Sequence, residues 1–288
     1  MLGLDPDPGA LWPGGEHAGR VFGSPSEAAA AAVLGHCLAL IEATAPACVA
    51  VKPQLARFEL LGAAGWAALE AVVAHAQRLG LLVIADGKRG DIDVTARVYA
   101  GALFGGVETP FGRAGGLGAD LVTVNPLMGM DAVEPFVSAA REVGGGVLLL
   151  VRTSNPGAAD IEDLKLEQGG TVWERLARLV DELGAPAVGE AGLSDVGAVL
   201  GATEPWHLER ARELMGSATF LLPGVGAQGG RVQELGAAFA PGRAGGLVSA
   251  SRSIADAYRE LGGEPAVAAR AAAERLREAA WGLSDRVR

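Results

Sequence analysis

The sequence is poor in aromatic residues and in net positive charge. Aromatic residues make up 5% of the 288 residues, too few to suggest a base-stacking surface for nucleic acid. Lys and Arg number 24 against 34 Asp and Glu, so the formal net charge is −10. A general attraction for nucleic acid or for an anionic membrane is therefore not expected. An anionic substrate would need positive charge gathered locally at its site.

Cysteine, leader sequences and long apolar runs are also scarce. The two cysteines, Cys37 and Cys48, lack the spacing of a disulfide framework or of a metal site, and we expect both to be small core residues. No basic and apolar leader follows Met1, and no apolar run reaches about 18 residues. These features predict a cytoplasmic protein that does not associate with membranes.

The sequence does contain a regular alternation of short apolar runs with longer amphipathic segments. Half of the residues are apolar, and the 43 glycines have no three-residue period, which excludes a collagen-like chain. The apolar runs have the length of strands buried on both faces, and they cover 2–5, 47–52, 81–88, 119–125, 146–152, 185–189, 218–223 and 244–250. The helix-like segments cover 26–45, 63–79, 92–104, 131–143, 172–183, 205–215, 231–239 and 264–281.

Eight strands alternating with eight helices predict an α/β protein, a (β/α)8 TIM barrel formed by a single domain over residues 1–288. A doubly wound open sheet is the rival, but eight regular units without a dividing linker favour the closed barrel. Two inserts exceed ordinary connection lengths, near 105–118 and 153–171. The second follows a strand, on the side where barrel enzymes place their active sites, so it is the better lid candidate.

Charged residues cluster where the predicted second and third strands end. Lys52 ends the second strand, and Asp86 and Lys88 end the third. Residues two apart on a strand point to the same side, and Asp91 follows three residues later. An Asp-Lys pair that only neutralises itself is the structural alternative. The presence of Lys52 and Asp91 beside that pair favours a functional site.

A second candidate site lies at the ends of the last two predicted strands. A glycine-rich stretch covers 223–230, and Arg252 begins the next helical segment. Barrels commonly bind phosphate with these two loops, through backbone N–H groups and a planar guanidinium. Gln228 could donate its amide to the same phosphate, although a lone Gln in a loop is more often simply exposed to solvent.

These stretches together resemble the orotidine 5'-monophosphate decarboxylase family. The central match is Asp86-x-Lys88-x-x-Asp91-Ile92-x-x-Thr95, preceded by Val51-Lys52. Further matches occur in the same order at 4–7, 152–157, 223–230 and 249–252. The resemblance runs from residue 2 to about residue 260, and the long inserts are similar to those of the longer-chain bacterial branch.

The resemblance implies a carbon–carbon lyase that converts orotidine 5'-monophosphate (OMP) to uridine 5'-monophosphate (UMP) in de novo pyrimidine biosynthesis. It implies no cofactor and no metal. It also implies a catalytic array in which Asp86 stands near the leaving carboxylate and Lys88 protonates the C6 carbanion, while Lys52 and Asp91 hold Lys88 charged and aimed.

The remaining family positions imply substrate contacts and a homodimer. Asp91, Ile92 and Thr95 would cross to the partner subunit's site. Ribose hydroxyls, the pyrimidine amide edge and the phosphate would be bound by Asp5, Thr95, Ser154, Pro223, Gln228 and Arg252.

Two other functions stay open at this point. One is a Mg²⁺-dependent sugar-phosphate decarboxylase or synthase of the same barrel suprafamily, which would use the carboxylates of Asp86 and Asp91 as metal ligands. The Thr95 spacing, the Ser154 loop and Gln228 argue against it. The other is an inactive nucleotide-binding barrel, which the intact set of charged residues disfavours.

Overall fold

The computed structural model describes residues 1–14, 23–226 and 229–284. The chain forms two compact units, which are described separately. The first comprises Met1–Gly87, Leu117–Ala119 and Ala250–Arg277, and the second comprises Lys88–Gly116, Asp120–Ser249 and the chain from Glu278.

The first unit contains parallel strands backed by helices. The strands are β1 (Leu2–Leu4), β2 (Ala50–Pro53) and most of β3 (Leu82–Arg89). Leu2 pairs with Val51, and Val51 pairs with Val83. The helices are α1 (Pro25–Thr44), α2 (Leu55–Glu59), α3 (Gly62–Arg78), α8 (Arg252–Ala255), α9 (Ala257–Leu261) and the greater part of α10 (Pro265–Ser284).

The second unit contains the remaining parallel strands and a small hairpin. The parallel strands are β6 (Leu121–Val124), β7 (Gly146–Arg152), β8 (Val196–Leu200), β9 (Phe220–Leu222) and β10 (Gly246–Val248). The antiparallel hairpin is formed by β4 (Val107–Thr109) and β5 (Gly112–Ala114). The helices are α4 (Asp93–Leu103), α5 (Met130–Glu142), α6 (Val172–Gly184) and α7 (Trp206–Leu214).

The eight strands of the larger sheet follow one another in chain order, β1-β2-β3-β6-β7-β8-β9-β10. Every strand pair whose register is defined among them is parallel. Leu2 also forms a parallel bridge with Ala250, just beyond β10. Parallel strands in chain order with helices between them define the (β/α)8 class, so the predicted fold class is confirmed. The organisation as one domain stays a prediction.

Buried strands and capped helices explain why the local sequence folds in this way. Every residue of β1, β2, β8 and β9 is buried, as expected for strands covered on both faces. Helix α1 begins with a capping box in which Ser24 and Glu27 bond each other's backbone, and Thr171 and Glu174 do the same for α6. Such boxes satisfy N–H groups that have no partner inside the helix.

Helix α1 is apolar enough to pass a length-and-composition test for a membrane span, over Pro25–Ala47 with a mean hydropathy of 1.6. From the sequence we expect no apolar run of about 18 residues, and this segment departs from that expectation. In the first unit this helix packs against α3 and buries Val33, Cys37 and Ile41, so its apolar residues serve the core.

Two predicted elements are wrong. Residues 185–189 are not the sixth strand: Ala185–Ala187 forms a 3₁₀ turn that extends α6, and the strand is β8 (Val196–Leu200). Pro186 supplies no N–H for a sheet. Residues 231–239 form two short 3₁₀ helices, Val232–Glu234 and Gly236–Phe239. Gly236 begins the second of them, and glycine is unfavourable inside an α-helix.

The two inserts have structure of their own. The first contains the β4–β5 hairpin, whose tip residue Phe111 is 99% exposed. The second contains a 3₁₀ helix over Pro156–Asp160 and a bridge between Lys165 and Thr171. This second insert is therefore an ordered loop that returns to the start of α6.

A buried histidine fixes the loop after β1. The Trp12 backbone N–H donates to His36 Nδ1 (3.3 Å), and Trp12 Nε1 donates to the Ala255 carbonyl oxygen (2.8 Å). His36 Nδ1 must be unprotonated to accept this bond. Burial lowers the pKa of His36, and the nearby Asp256 only partly opposes this effect.

This arrangement predicts a loss of stability at acidic pH. Since the folded-state pKa of His36 lies below its unfolded value of about 6.5, the unfolded chain binds the extra proton first. The contribution is complete above about pH 6.5 and declines as the pH falls towards the folded-state pKa. Urea unfolding at about pH 7.5 and about pH 5.5 should show a smaller loss of stability in His36→Gln than in the wild type. Equal losses in the two proteins would show that His36 has no such role.

Candidate active site

A buried ion pair joins the ends of β2 and β3. Lys52 and Asp86 are each 5% exposed, and Lys52 Nζ donates directly to Asp86 Oδ2. Gln54 Nε2 lies 3.3 Å from the same oxygen, and the Gln54 and Asp86 main chains form a parallel bridge. Because a buried charge is costly unless it is paired and hydrogen-bonded, these contacts hold the Asp86 carboxylate in one place.

Lys88 lies two residues further along the same strand, in an unusual backbone conformation. Its φ is 47°, in the left-handed region that non-glycine residues rarely adopt. Its backbone N–H donates to Thr123 Oγ1 (2.9 Å), and the next residue, Arg89, accepts a bond from the Asn125 N–H (2.7 Å). The two bonds tie the last two residues of β3 to the end of β6. Strained backbone of this kind is concentrated at functional sites.

The turn after Lys88 leads into α4, which begins with the other family positions. Asp91 is half-buried, and its Oδ1 accepts a bond from the Ile92 N–H (2.8 Å). Ile92 and Thr95 are exposed at the start of the helix. Glycine suits position 90, because a Cβ there would lie only 3.0 Å from the Asn125 carbonyl oxygen and the neighbouring backbone would have to shift.

Asp5 and Arg252 belong to the first unit. Asp5 directly follows β1, Arg252 begins α8, and both residues are exposed. A Cβ on Gly3 would overlap the Ser251 side chain, so glycine permits the close approach of β1 to the residue before Arg252. The Gly3 N–H donates to the Ala250 carbonyl oxygen (2.8 Å). These contacts fix the backbone just before the two predicted positions.

The glycine-rich loop after β9 is held in a tight turn. The Pro223 carbonyl oxygen accepts a bond from the Ala202 N–H (2.9 Å), and Gly224 and Gly226 have φ values of 97° and 78°. The Gly226 and Gly230 N–H groups are used within the loop, so they shape the turn instead of pointing outward. The predicted Gln228 lies outside the described residues.

Ser154 follows β7 and is half-buried. A Cβ on Gly201 would lie 2.8 Å from Ser154 Cα, so the backbone after β8 packs directly on the backbone of Ser154. The Gly201 N–H also donates to the Arg152 carbonyl oxygen (2.8 Å).

Among the predicted residues that the structure describes, Lys52 and Asp86 are brought into direct contact. Others lie at or just beyond strand ends: Asp5, Lys88, Ser154 and Pro223. Sequence reasoning missed Gln54 and Thr123, which bond Asp86 and the Lys88 backbone. The position of Gln54, two residues after Lys52 and just beyond the end of β2, was an available signal. Nothing in the local sequence around Thr123 indicated its role, because the bond joins residues 35 positions apart.

Within the described residues, no group of three or more His, Cys, Asp or Glu side chains is placed to hold a metal ion. His36 and His207 are buried, and burial lowers the pKa of both. His75 is close to Glu42, with 3.4 Å between Nε2 and Oε1, and His17 lies outside the described residues.

A (β/α)8 chain with a buried Lys-Asp pair and a glycine loop at strand ends has the features of a barrel enzyme that acts on a phosphorylated substrate. A family profile described as "Orotidine 5'-phosphate decarboxylase / HUMPS family" matches residues 26–271. The chain belongs to this family, which confirms the resemblance found in the sequence.

Named relatives agree with the profile. The chain is 48% identical over 221 residues to the orotidine 5'-phosphate decarboxylase of Deinococcus radiodurans, covering 75% of each chain. It is 41% identical over 236 residues to the enzyme of the same name from Rhodopirellula baltica, covering 81% of this chain and 76% of the relative. The structure of Leishmania donovani OMP decarboxylase matches with a TM-score of 0.71 and 31% identity, over 99% of this chain and 92% of that one.

Proposed function

We propose that the chain is a carbon–carbon lyase that decarboxylates OMP to UMP in de novo pyrimidine biosynthesis. The observation that carries the proposal is the buried Lys52–Asp86 ion pair. Asp86 lies two residues before Lys88 on β3. Family membership and the names of the relatives support it.

Lysine usage adds a second argument. The sequence contains three lysines, Lys52, Lys88 and Lys165, and the other 21 of its 24 basic residues are arginines. An arginine guanidinium stays protonated in proteins, whereas a lysine ammonium is a compact charge that can give up a proton. Two of the three lysines occur at the proposed reaction centre, where the chemistry needs a proton donor.

The proposed reaction uses the side chains of the chain itself. The Asp86 carboxylate faces the substrate carboxylate, and the like-charge contact between them is relieved as CO₂ departs. The bonding electrons remain on C6, where the Lys88 ammonium stabilises the negative charge and then delivers a proton to the carbon. Lys52 and Asp91 keep this charge array in position.

The other family positions bind groups distant from the reacting carbon. We assign the ribose hydroxyls to Asp5 and Thr95 and the pyrimidine amide edge to Ser154. The phosphate is assigned to Arg252, Gln228 and the Pro223 loop. Binding energy from such remote groups can raise turnover as well as affinity.

We also propose that two copies form a homodimer, with Asp91, Ile92 and Thr95 reaching the partner subunit's site. Ile92, Val94 and Val98 are 55%, 60% and 64% exposed near the start of α4. A group of exposed apolar side chains of this kind typically marks an interaction surface.

A cytoplasmic location is proposed because both cysteines are free thiols, as is usual in reducing compartments.

The engagement of Asp86 by Lys52 and Gln54 disfavours the Mg²⁺-dependent alternative, because both contacts compete with a metal ion for the carboxylate. The inactive-barrel alternative leaves the strained, exposed Lys88 without a purpose.

Enzyme assays in EDTA separate these functions. We expect OMP absorbance to fall on adding the protein with excess EDTA, and orotidine, which lacks the phosphate, to react far more slowly. Lys88→Ala should lower turnover at least about a hundredfold while still binding UMP. Lys165→Ala is the matched control, since Lys165 is exposed, and should retain wild-type turnover. Loss of wild-type activity in EDTA would favour the metal-dependent alternative, and an unreactive wild type would contradict the proposal.

Mixed dimers test the proposed contribution of Asp91. Asp91→Ala and Lys88→Ala chains should each be inactive alone. If Asp91 acts across the interface, a heterodimer regains one site in which both residues are intact, so mixing the chains should restore part of the activity. Absence of any recovery in subunits shown to exchange would place Asp91 in the site of its own chain.

A further inference from the structure

A buried arginine, Arg152, immediately precedes the loop that carries Ser154. It is the last residue of β7 and is 5% exposed, which is unusual for a side chain that carries a permanent charge. Its guanidinium makes a two-pronged contact with Asp163, from Nε to Oδ1 at 2.9 Å and from Nη2 to Oδ2 at 3.0 Å. Planar contacts of this kind fix direction as well as distance.

The same arginine also holds the backbone of the next residue. Arg152 Nη1 donates to the Thr153 carbonyl oxygen (2.6 Å). On the other side of this residue, Glu162 accepts bonds from the Thr153 N–H (2.9 Å) and from its hydroxyl (3.0 Å). Side chains therefore bind both the N–H and the carbonyl group of Thr153, one position before Ser154.

Packing against Gly201, just beyond β8, also restricts Ser154. Gly201 leaves no room for a side chain between the two backbones, since its Cβ would lie 2.8 Å from the Cα and Cβ atoms of Ser154. Ser154 is thus held against the end of β8 by packing, and the residues before it are held by hydrogen bonds to Glu162 and Asp163, later in the same insert. Neither Glu162 nor Asp163 belongs to the family motif at 152–157.

Aromatic rings close the other side of this cluster. His207 is 2% exposed and lies between Trp206, stacked at 3.4 Å between centroids, and Trp173, edge-on at 5.1 Å. His207 Nε2 is 3.9 Å from Asp163 Oδ1. The Arg152 hydrogen bonds lower the pKa of Asp163, which keeps its carboxylate charged opposite the guanidinium.

We propose that Arg152, Glu162 and Asp163 are positioning residues that fix Ser154 and so determine affinity for the pyrimidine part of the nucleotide. The inference rests on the proposed function, because Ser154 is assigned there to the pyrimidine amide edge. Arg152 itself is not a ligand-binding group, since its guanidinium is engaged with Asp163 and Thr153. The 153–171 insert acts through these contacts as a support for the base site.

Two ligands separate positioning from general damage. UMP contains the pyrimidine, and ribose 5-phosphate keeps the sugar and the phosphate without it. Arg152→Lys retains the charge but not the planar fork, and Glu162→Gln retains the shape but weakens the bonds to Thr153. We expect each variant to bind UMP at least about tenfold more weakly, on the magnitude of charge-assisted hydrogen bonds. Affinity for ribose 5-phosphate should stay within about twofold.

A matched control is available in the same unit. Arg141 makes a similar two-pronged contact with Asp195, at 2.6 Å and 3.1 Å, just before the start of β8. Arg141→Lys should leave the affinities for both ligands unchanged, because Asp195 precedes this strand and Ser154 packs against Gly201 beyond its end. Should Arg152→Lys fail to fold, Glu162→Gln decides the result, since the Glu162 side chain is partly exposed at 17%.

Variants that retain wild-type affinity for UMP would overturn the positioning role. Variants that lose affinity for both ligands to the same extent would also overturn it. If the wild type bound ribose 5-phosphate but neither bound UMP nor consumed OMP, the proposed function itself would be wrong, and the positioning role would be wrong with it. Normal turnover of OMP by the wild type, with no selective loss in the variants, would contradict the positioning role alone.

Discussion

The structure depends on the buried ion pair between Lys52 and Asp86. Two charges at 5% exposure lose most of their hydration, and their direct contact together with a further bond from Gln54 offsets that cost. The pair requires β2 and β3 to lie side by side in their observed register. It also fixes a carboxylate two residues before Lys88 on β3. A contact that is costly for folding is thereby located at the proposed reaction centre.

Close backbone approaches at strand ends complete the arrangement. Gly3, Gly90 and Gly201 each stand where a Cβ would meet another segment at overlapping or very short distance. These three glycines therefore have a local steric reason, since a side chain at each would crowd the neighbouring segment. Ion pairs such as that of Arg152 with Asp163 then fix the conformation of loops that their own local sequence would leave free to move.

The alternation of apolar runs and helical segments predicted seven of the eight barrel strands and the fold class. It failed at 185–189, where an apolar segment containing Pro186 imitates a strand, and at 231–239, where Gly236 interrupts the helix. The strand-end charges were found because they are close in sequence. The contacts of Thr123 with Lys88 and of Glu162 with Thr153 were not, since they join distant or irregular segments that only the folded backbone brings together.

The most direct measurement of the central claim is the turnover number of Lys52→Met on OMP, with Lys165→Met as control. Without Lys52, Asp86 is a buried carboxylate that has lost its charged partner, so the variant should unfold more easily by about 3–5 kcal/mol. In folded protein that still binds UMP, its turnover should fall at least about a hundredfold, while Lys165→Met remains at the wild-type rate. Turnover of Lys52→Met within about twofold of the wild type would contradict the account.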